Sequence, residues 1–290
     1  MFEDFEETRI DVGEAEIHVR KGGDGPPLLL LHGYPQTHVA WHKIAPKLAE
    51  DYTVVAPDLR GYGDSTGPPD PETSQYSNRV MAEDIVVVME SLEFGEYRIT
   101  GHDRGARVGY RFALDHPERV EKLALLDIIS TLETAERMDY EYAHAMYHWL
   151  FLAQPHPTPE TLLANEPSFY VDHLIDNWAV YPERLNPEAV AEYHRCFENE
   201  RVIRASCEDY RAGLSVDLKH DRASREAGDQ IECPVLALWG DASGTVDFDP
   251  LDIWKRWATD VSGRGLSCGH FLMEEAPETT LAELESFLKR

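Results

Sequence analysis

Cysteine is scarce in this chain of 290 residues. Its four copies, Cys196, Cys207, Cys233 and Cys268, lie far apart without a C-x-x-C pair. That spacing argues against a metal site or a disulfide framework and predicts idle thiols. Lysine is also scarce: seven Lys and 20 Arg face 54 acidic residues, for a formal net charge of -27. No basic stripe is present, which excludes nucleic acid or an anionic membrane as partner. Long apolar runs are missing too; none approaches the roughly 18 residues that span a bilayer. The opening Met1-Phe2-Glu3-Asp4 is acidic rather than signal-like. Internal repeats and low-complexity tracts are absent, and the whole predicts a soluble cytoplasmic protein.

The acidity exceeds what solubility requires. It predicts adaptation to a salt-rich cytoplasm, as in halophilic proteins, because at 1 M salt a Debye length of about 3 Å screens self-repulsion. The melting temperature is therefore expected to rise from dilute buffer to molar KCl. A melting curve indifferent to KCl would sink this expectation.

The chain is long enough for one sizeable core, or for a core with an inserted lid. Strand-like runs cover Thr8–Val12, Glu16–Arg20, Leu28–Leu31 and Thr53–Ala56, with a helix near Ala40–Glu50. Asn78–Leu92 reads as a helix, Tyr97–Thr100 as a short buried strand, Ala106–Asp115 as a helix, and Val120–Leu126 as a strongly apolar strand. From about Ile128 to Gly228 the pattern turns helical, aromatic-rich and broken by prolines. Alternation resumes with a strand at Cys233–Trp239, a helix near Leu251–Ala258 and a weak strand at Gly263–Leu266. A final amphipathic helix puts Leu281, Leu284 and Leu288 on one face. Such alternation predicts an α/β fold with a mostly parallel eight-stranded sheet flanked by helices. Residues 1–128 and 229–290 would form the core, and residues 129–228 an inserted helical cap.

The most informative segment is Gly101-His102-Asp103-Arg104-Gly105, placed between a strand and a helix. A tight strand-to-helix elbow strains its central residue and needs small neighbours two positions either side. An acyl hydrolase carries Ser at that centre, whereas a carboxylate suits displacement of a leaving group from saturated carbon. Asp103 thus argues against an esterase and for a carboxylate nucleophile. The ester it would form needs a water-activating base. His270 is the best placed of 13 histidines, on the loop Ser267-Cys268-Gly269-His270-Phe271 after the last strand. His32 and His102 are rivals by position, with His32 better suited to a structural hydrogen bond.

An acid must orient the base, and two strand ends offer one, at Asp127 and at Asp241. In this topology the later acid commonly sits three residues beyond Gly240, where this chain has Ser243. Asp241 and Asp247 are out of step, so Asp127 is the preferred partner. Arg104 and Arg107 fall in or next to the first turn of a helix, where cations are disfavoured by about 0.3–1 kcal/mol each. An anion is expected beside them. Asp103 is one, and a substrate carboxylate held bidentately is a second; pairing with acids of the cap is the plainer alternative. The cap offers Tyr147-His148-Trp149 and Glu208-Asp209-Tyr210-Arg211, whose ring N–H and O–H groups suit a leaving halide or simple packing.

Six motifs carry a resemblance. They are His32-Gly33-Tyr34-Pro35-Gln36-Thr37, Pro57-Asp58-Leu59-Arg60-Gly61-Tyr62-Gly63-Asp64-Ser65, Gly101 to Arg107, Tyr147-His148-Trp149, Cys207 to Gly213, and Cys268-Gly269-His270-Phe271-Leu272. Together they resemble the fluoroacetate dehalogenases of the α/β-hydrolase fold, nearly end to end. The resemblance implies hydrolysis of fluoroacetate or chloroacetate to glycolate and halide, with Asp103 as nucleophile, His270 as base and Asp127 as its acid. It implies Arg104 and Arg107 as the carboxylate clamp and His148, Trp149 and Tyr210 as the halide pocket. It further implies no cofactor, a small anionic haloacid as substrate, and a homodimer.

The first two motifs are shared with epoxide hydrolases, the enzymatic alternative, which needs two cap tyrosines to protonate the epoxide oxygen. Two departures from the pattern stand out. Tyr34, on the oxyanion-side loop, replaces an expected Phe, and Trp239 to Thr245 is one residue longer than usual.

Overall fold

The computed structural model describes residues 1–245 and 248–289. Eight strands form one sheet: β1 (Glu6–Asp11), β2 (Glu16–Gly22), β3 (Pro27–Leu31), β4 (Thr53–Pro57), β5 (Tyr97–His102), β6 (Val120–Leu126), β7 (Val235–Gly240) and β8 (Val261–Leu266). Their spatial order is β1-β2-β4-β3-β5-β6-β7-β8. β1 and β2 pair antiparallel, β2 meets β4 antiparallel, and every later pairing is parallel. The expected α/β class with a mostly parallel eight-stranded sheet is thus the observed one.

The central strands are apolar throughout because both faces of the sheet are covered. Leu29, Leu31, Leu123, Leu125, Val235 and Ala237 point into one buried cluster. Their neighbours Leu28, Leu30, Ala124, Leu126, Leu236 and Leu238 point into the other. Each fully buried Leu contributes about 1.5–3 kcal/mol, so alternation of faces without alternation of polarity fixes these strands in the interior.

Five helices matter for the site: α1 (Asp103–Asp115), α2 (Tyr147–Leu152), α3 (Pro167–Trp178), α4 (Glu200–Ala212) and α5 (Leu272–Glu275). Between β6 and β7 the described elements, from Thr131 to Ala227, are all helical. Trp149, Leu152, Val171, Tyr193 and Tyr210 of this insertion belong to the same apolar cluster as Leu29 and Leu125. The insertion therefore packs onto the sheet through continuous apolar contact. No helix is long and apolar enough to cross a membrane.

Three local expectations differ from the structure. The helix expected at Ala40–Glu50 is a 3-10 turn, His38–Trp41, and a single α-helical turn, Ala45–Leu48, with Pro46 in its first turn. The helix near Leu251–Ala258 is confined to Pro250–Trp254. The weak strand is a full edge strand, β8, paired with β7 along six residues.

Candidate active site

The loops that follow β3, β5, β6, β7 and β8 share one edge of the sheet, the edge where parallel α/β sheets place their crevice. At the end of β5 the chain turns sharply into α1, and Asp103 takes a left-handed backbone with φ 44°. Such geometry costs about 1–3 kcal/mol for a residue other than glycine. Close approach dictates the flanking glycines: a Cβ on Gly101 would lie 2.6 Å from the Ala106 Cα, and one on Gly105 2.4 Å from the Leu31 and His32 carbonyl oxygens. The strain turns the Asp103 side chain toward the cavity beneath the insertion. There the Tyr34 backbone N–H donates to Asp103 Oδ2 at 2.9 Å. Burial alone would raise the Asp103 pKa, but His270, His102, Arg107 and Arg104 outweigh it and hold the carboxyl at about 2. It is ionised throughout the neutral range.

At the end of β6 Asp127 is likewise left-handed, with φ 53°. Its Oδ2 lies 2.6 Å from His270 Nδ1. Its Oδ1 accepts the Gly240 N–H at 3.0 Å and the Ser243 hydroxyl at 2.6 Å. With Nδ1–H donated to Asp127, the base nitrogen of His270 is Nε2. Burial works against a charged His270, yet the hydrogen bond and charge of Asp127, with Asp103 and Glu275, raise its pKa above the ordinary imidazole value. Asp241 instead lies against β8, where its Oδ1 fills the space a Gly265 side chain would need. Asp247 lies outside the described residues.

The rival histidines are engaged with backbone. His32 donates from Nδ1 to the Gly33 carbonyl at 3.0 Å and accepts the Leu59 N–H on Nε2 at 3.0 Å. His102 donates from Nε2 to the His270 carbonyl at 2.8 Å, and burial lowers its pKa to about 3.

The two arginines part company. Arg107 lines the cavity, with Nη1 donating to the Ile129 carbonyl at 3.2 Å and the Thr131 hydroxyl at 3.1 Å. Its guanidinium lies 4.5 Å over the Trp149 ring, and its buried Nε has no hydrogen-bond partner. Arg104 is not among the residues that line the cavity. Its Nε donates to Asp209 Oδ2 at 2.8 Å and its Nη2 to Oδ1, a bidentate pair with both side chains almost wholly buried. Asp209 also accepts the Tyr62 hydroxyl at 2.7 Å. A buried acid of the insertion needs a buried counter-charge, and Arg104 supplies it.

The cavity has a volume of about 120 Å³. Asp103, Asp127, His270 and Arg107 line it from the core, and His148, Trp149 and Trp178 from the insertion. Ile128, Ile129 and Met146 give it an apolar wall. Burial lowers the His148 pKa to about 3, so this imidazole is neutral, and its buried Nδ1 has no hydrogen-bond partner. Tyr210 and Tyr34 are not in the wall. Tyr210 packs edge-on against His148, Trp149 and Tyr34 at ring distances of 5.7, 5.6 and 5.2 Å. The extra Tyr34 hydroxyl therefore sits among the aromatic side chains of the insertion, and it is the Tyr34 backbone that meets Asp103.

Trp178 was not among the expected site residues. Its ring stands 4.6 Å from His148 and 5.3 Å from His270, and its carbonyl accepts the His270 N–H at 2.9 Å. Its one signal in sequence, an aromatic at a helix end, is shared by most of the insertion. Ser243, at the position searched for a second acid, is a donor to Asp127 instead.

Among the described residues one group, His18, His38 and Asp58, has ligand types close enough to hold a metal. Asp58 is already filled. It accepts both imidazole Nδ1 groups at 2.9 Å and the backbone N–H groups of His38 and Asp64 at 2.8 and 3.0 Å. This network braces the loop after β4. The four cysteines are free and buried.

Comparison with known proteins identifies the fold and the family. Residues 26–277 match the model of the alpha/beta hydrolase fold family. The chain is 40% identical, over 99% of its length and 95% of the relative's, to a fluoroacetate dehalogenase of Burkholderia sp. It is 32% identical to a soluble epoxide hydrolase of Corynebacterium sp. (strain C12), covering 90% of each chain. A crystal structure assigned as an alpha/beta hydrolase, from Nostoc sp PCC 7120, superposes with a TM-score of 0.97 at 52% identity, over 99% of both chains.

Proposed function

We propose that this chain, which belongs to the fluoroacetate dehalogenase family of the alpha/beta hydrolase fold, hydrolyses the carbon–halogen bond of fluoroacetate or chloroacetate to glycolate and halide. One observation carries the reading: an ionised, strained Asp103 shares a cavity with the Arg107 guanidinium and the neutral donors His148 and Trp149. Arg107 offers its guanidinium to the substrate carboxylate. An Asp103 oxygen attacks the α-carbon, and the halide leaves with the bonding electrons toward ring N–H groups that carry no competing negative charge. Tyr210 packs edge-on against those rings.

The product of this step is an ester on Asp103. His270 Nε2 then takes a proton from water, the hydroxide adds to the Asp103 carboxyl carbon, and the bond from that carbon to the glycolate oxygen breaks. The proton passes on to glycolate, and one water oxygen stays in Asp103. Asp127 holds the imidazole in orientation and steadies its charged form. The Tyr34 N–H is placed to stabilise the oxyanion formed on Asp103.

The epoxide hydrolase reading fits the wall less well. It needs two tyrosines facing the substrate, whereas among the described residues Tyr142 alone lines the cavity. Tyr147 is 39% exposed, and Tyr210 is not among the residues that line the cavity. A neutral epoxide also leaves Arg107 without a partner.

Halide release from fluoroacetate, chloroacetate and bromoacetate, measured side by side with diol formation from an epoxide, tests the reading. Diol without halide would overturn it. In Arg107→Ala, kcat/KM for chloroacetate is expected to fall about 10- to 100-fold, the worth of hydrogen bonds to a charged group, while neutral chloroacetamide loses little. Equal losses for both would remove Arg107 from the carboxylate site.

The partner of the assembled enzyme is a second copy of the chain. Apart from Met1 and Val87, the exposed large apolar side chains among the described residues all belong to the insertion, with Tyr140 84%, Phe169 69% and Leu162 59% exposed. Sedimentation of a dimer at micromolar concentration, shifted toward monomer by Phe169→Asp, is expected. Wild-type protein sedimenting as a monomer would rule this partner out.

A further inference from the structure

Glu275 is a buried acid that takes no part in the mechanism above. Glu275, 1% exposed at the end of α5, accepts four backbone N–H groups. Two flank the base: Gly269 N–H at 3.1 Å to Oε2 and Phe271 N–H at 3.1 Å to Oε1. Two belong to the turn after α3: Val180 N–H at 2.8 Å and Tyr181 N–H at 3.0 Å, both to Oε2. The Glu275 carbonyl accepts Arg184 Nη1 from the same turn at 2.9 Å. The two segments touch so closely that a Cβ on Gly269 would lie 2.4 Å from the Trp178 carbonyl oxygen.

We propose that Glu275 is a positioning residue that ties the loop carrying His270 to the turn carrying Trp178, so that one carboxylate sets both the aim of the base and the place of Trp178 in the cavity wall. A neutral carboxamide cannot replace it. Gln keeps one acceptor oxygen, and its NH₂ must face at least the Phe271 N–H donor on the other side. With the tie loosened, Asp127 still holds Nδ1, but the backbone on both sides of His270 and the Trp178 wall lose their common anchor. Displacement of the base by about 1 Å is enough to cost up to about 100-fold in rate. Nucleophilic attack by Asp103, held by β5 and α1, does not depend on this anchor.

The inference rests on the dehalogenase reading for its kinetic form, and its structural form is tested separately. In Glu275→Gln, rapid-quench mass spectrometry with chloroacetate is expected to show the Asp103 ester forming within about threefold of the wild-type rate and hydrolysing roughly 10- to 100-fold more slowly. Amide exchange at Gly269, Val180 and Tyr181 is expected to accelerate. The groups facing His270 are Asp127, Asp103 and Glu275 as acids, with His102 and His148 as neighbours. Losing one negative charge lowers the His270 midpoint followed by NMR, and the acid limb of ester hydrolysis moves to lower pH. Glu275→Asp keeps the charge but is too short to span both segments; it should recover the midpoint without the exchange protection, and it serves if Glu275→Gln fails to fold. A folded variant with wild-type exchange and midpoint overturns the proposal. If wild-type protein forms no ester, the dehalogenase reading fails, and exchange and NMR still decide the role of Glu275.

Discussion

His270→Ala is expected to stall the protein as a glycolyl ester on Asp103, with turnover of chloroacetate lowered by about 10³–10⁴-fold, the range for losing a general base. The two chemical steps use different groups. Attack needs an ionised Asp103, and in the variant Arg107 and Arg104 still favour that form. Ester hydrolysis needs the neutral Nε2 of His270, which the variant lacks. Intact-mass spectra should show nearly complete adduct after a few equivalents of chloroacetate, and no adduct in Asp103→Asn. Absence of adduct in a folded His270→Ala variant, with wild-type protein turning over, would falsify the two-step scheme.

The pH dependence separates the same steps. Because the folded His270 pKa is raised, wild-type turnover should fall on the acid side through a midpoint above that of an ordinary imidazole. Ester formation by the wild-type protein in a single turnover should stay flat between about pH 5 and 9, since the carboxyl that drives it has its pKa depressed and is ionised throughout.

How far this site could be read in advance depended on how local each constraint is. Asp103 was legible because two glycines within two residues announce a turn that only a special residue occupies. Asp127 was legible because a carboxylate that ends a wholly apolar strand must enter the crevice, and Ser243 at the alternative position left the field to it. His270 followed from its place between the last strand and the last helices. The parallel sheet was legible from continuous apolar strands, since only burial on both faces tolerates them.

Long-range pairings were not legible. Arg104 near a helix start demanded an anion, and both a substrate carboxylate and an acid of the insertion met that demand; Asp209, the acid it pairs with, lies 105 residues away. Trp178 and Glu275 were hidden for a related reason. One stands in an aromatic-rich segment, the other in an acidic run, and their backbone contacts cross the joint between core and insertion.

The Arg104–Asp209 pair leads to the largest expected loss of stability. Asp209→Ala leaves a guanidinium buried without its partner, and breaking one side of a buried pair costs about 3–5 kcal/mol, on the order of 10 °C in melting temperature for a chain of this size. Tyr62 loses its acceptor as well. Replacing both partners, in Arg104→Met with Asp209→Leu, removes the stranded charge and is expected to restore most of that stability, since well-packed apolar residues substitute for buried ion pairs at little cost. The double variant also decides what Arg104 does for catalysis. If Arg104 anchors the insertion and Arg107 alone meets the substrate carboxylate, kcat/KM for chloroacetate should stay within about tenfold of wild type once stability returns. Should stability return while kcat/KM remains about 100-fold down or worse, the buried and unpartnered Nη1 of Arg104 reaches the substrate, and the clamp has two arms after all.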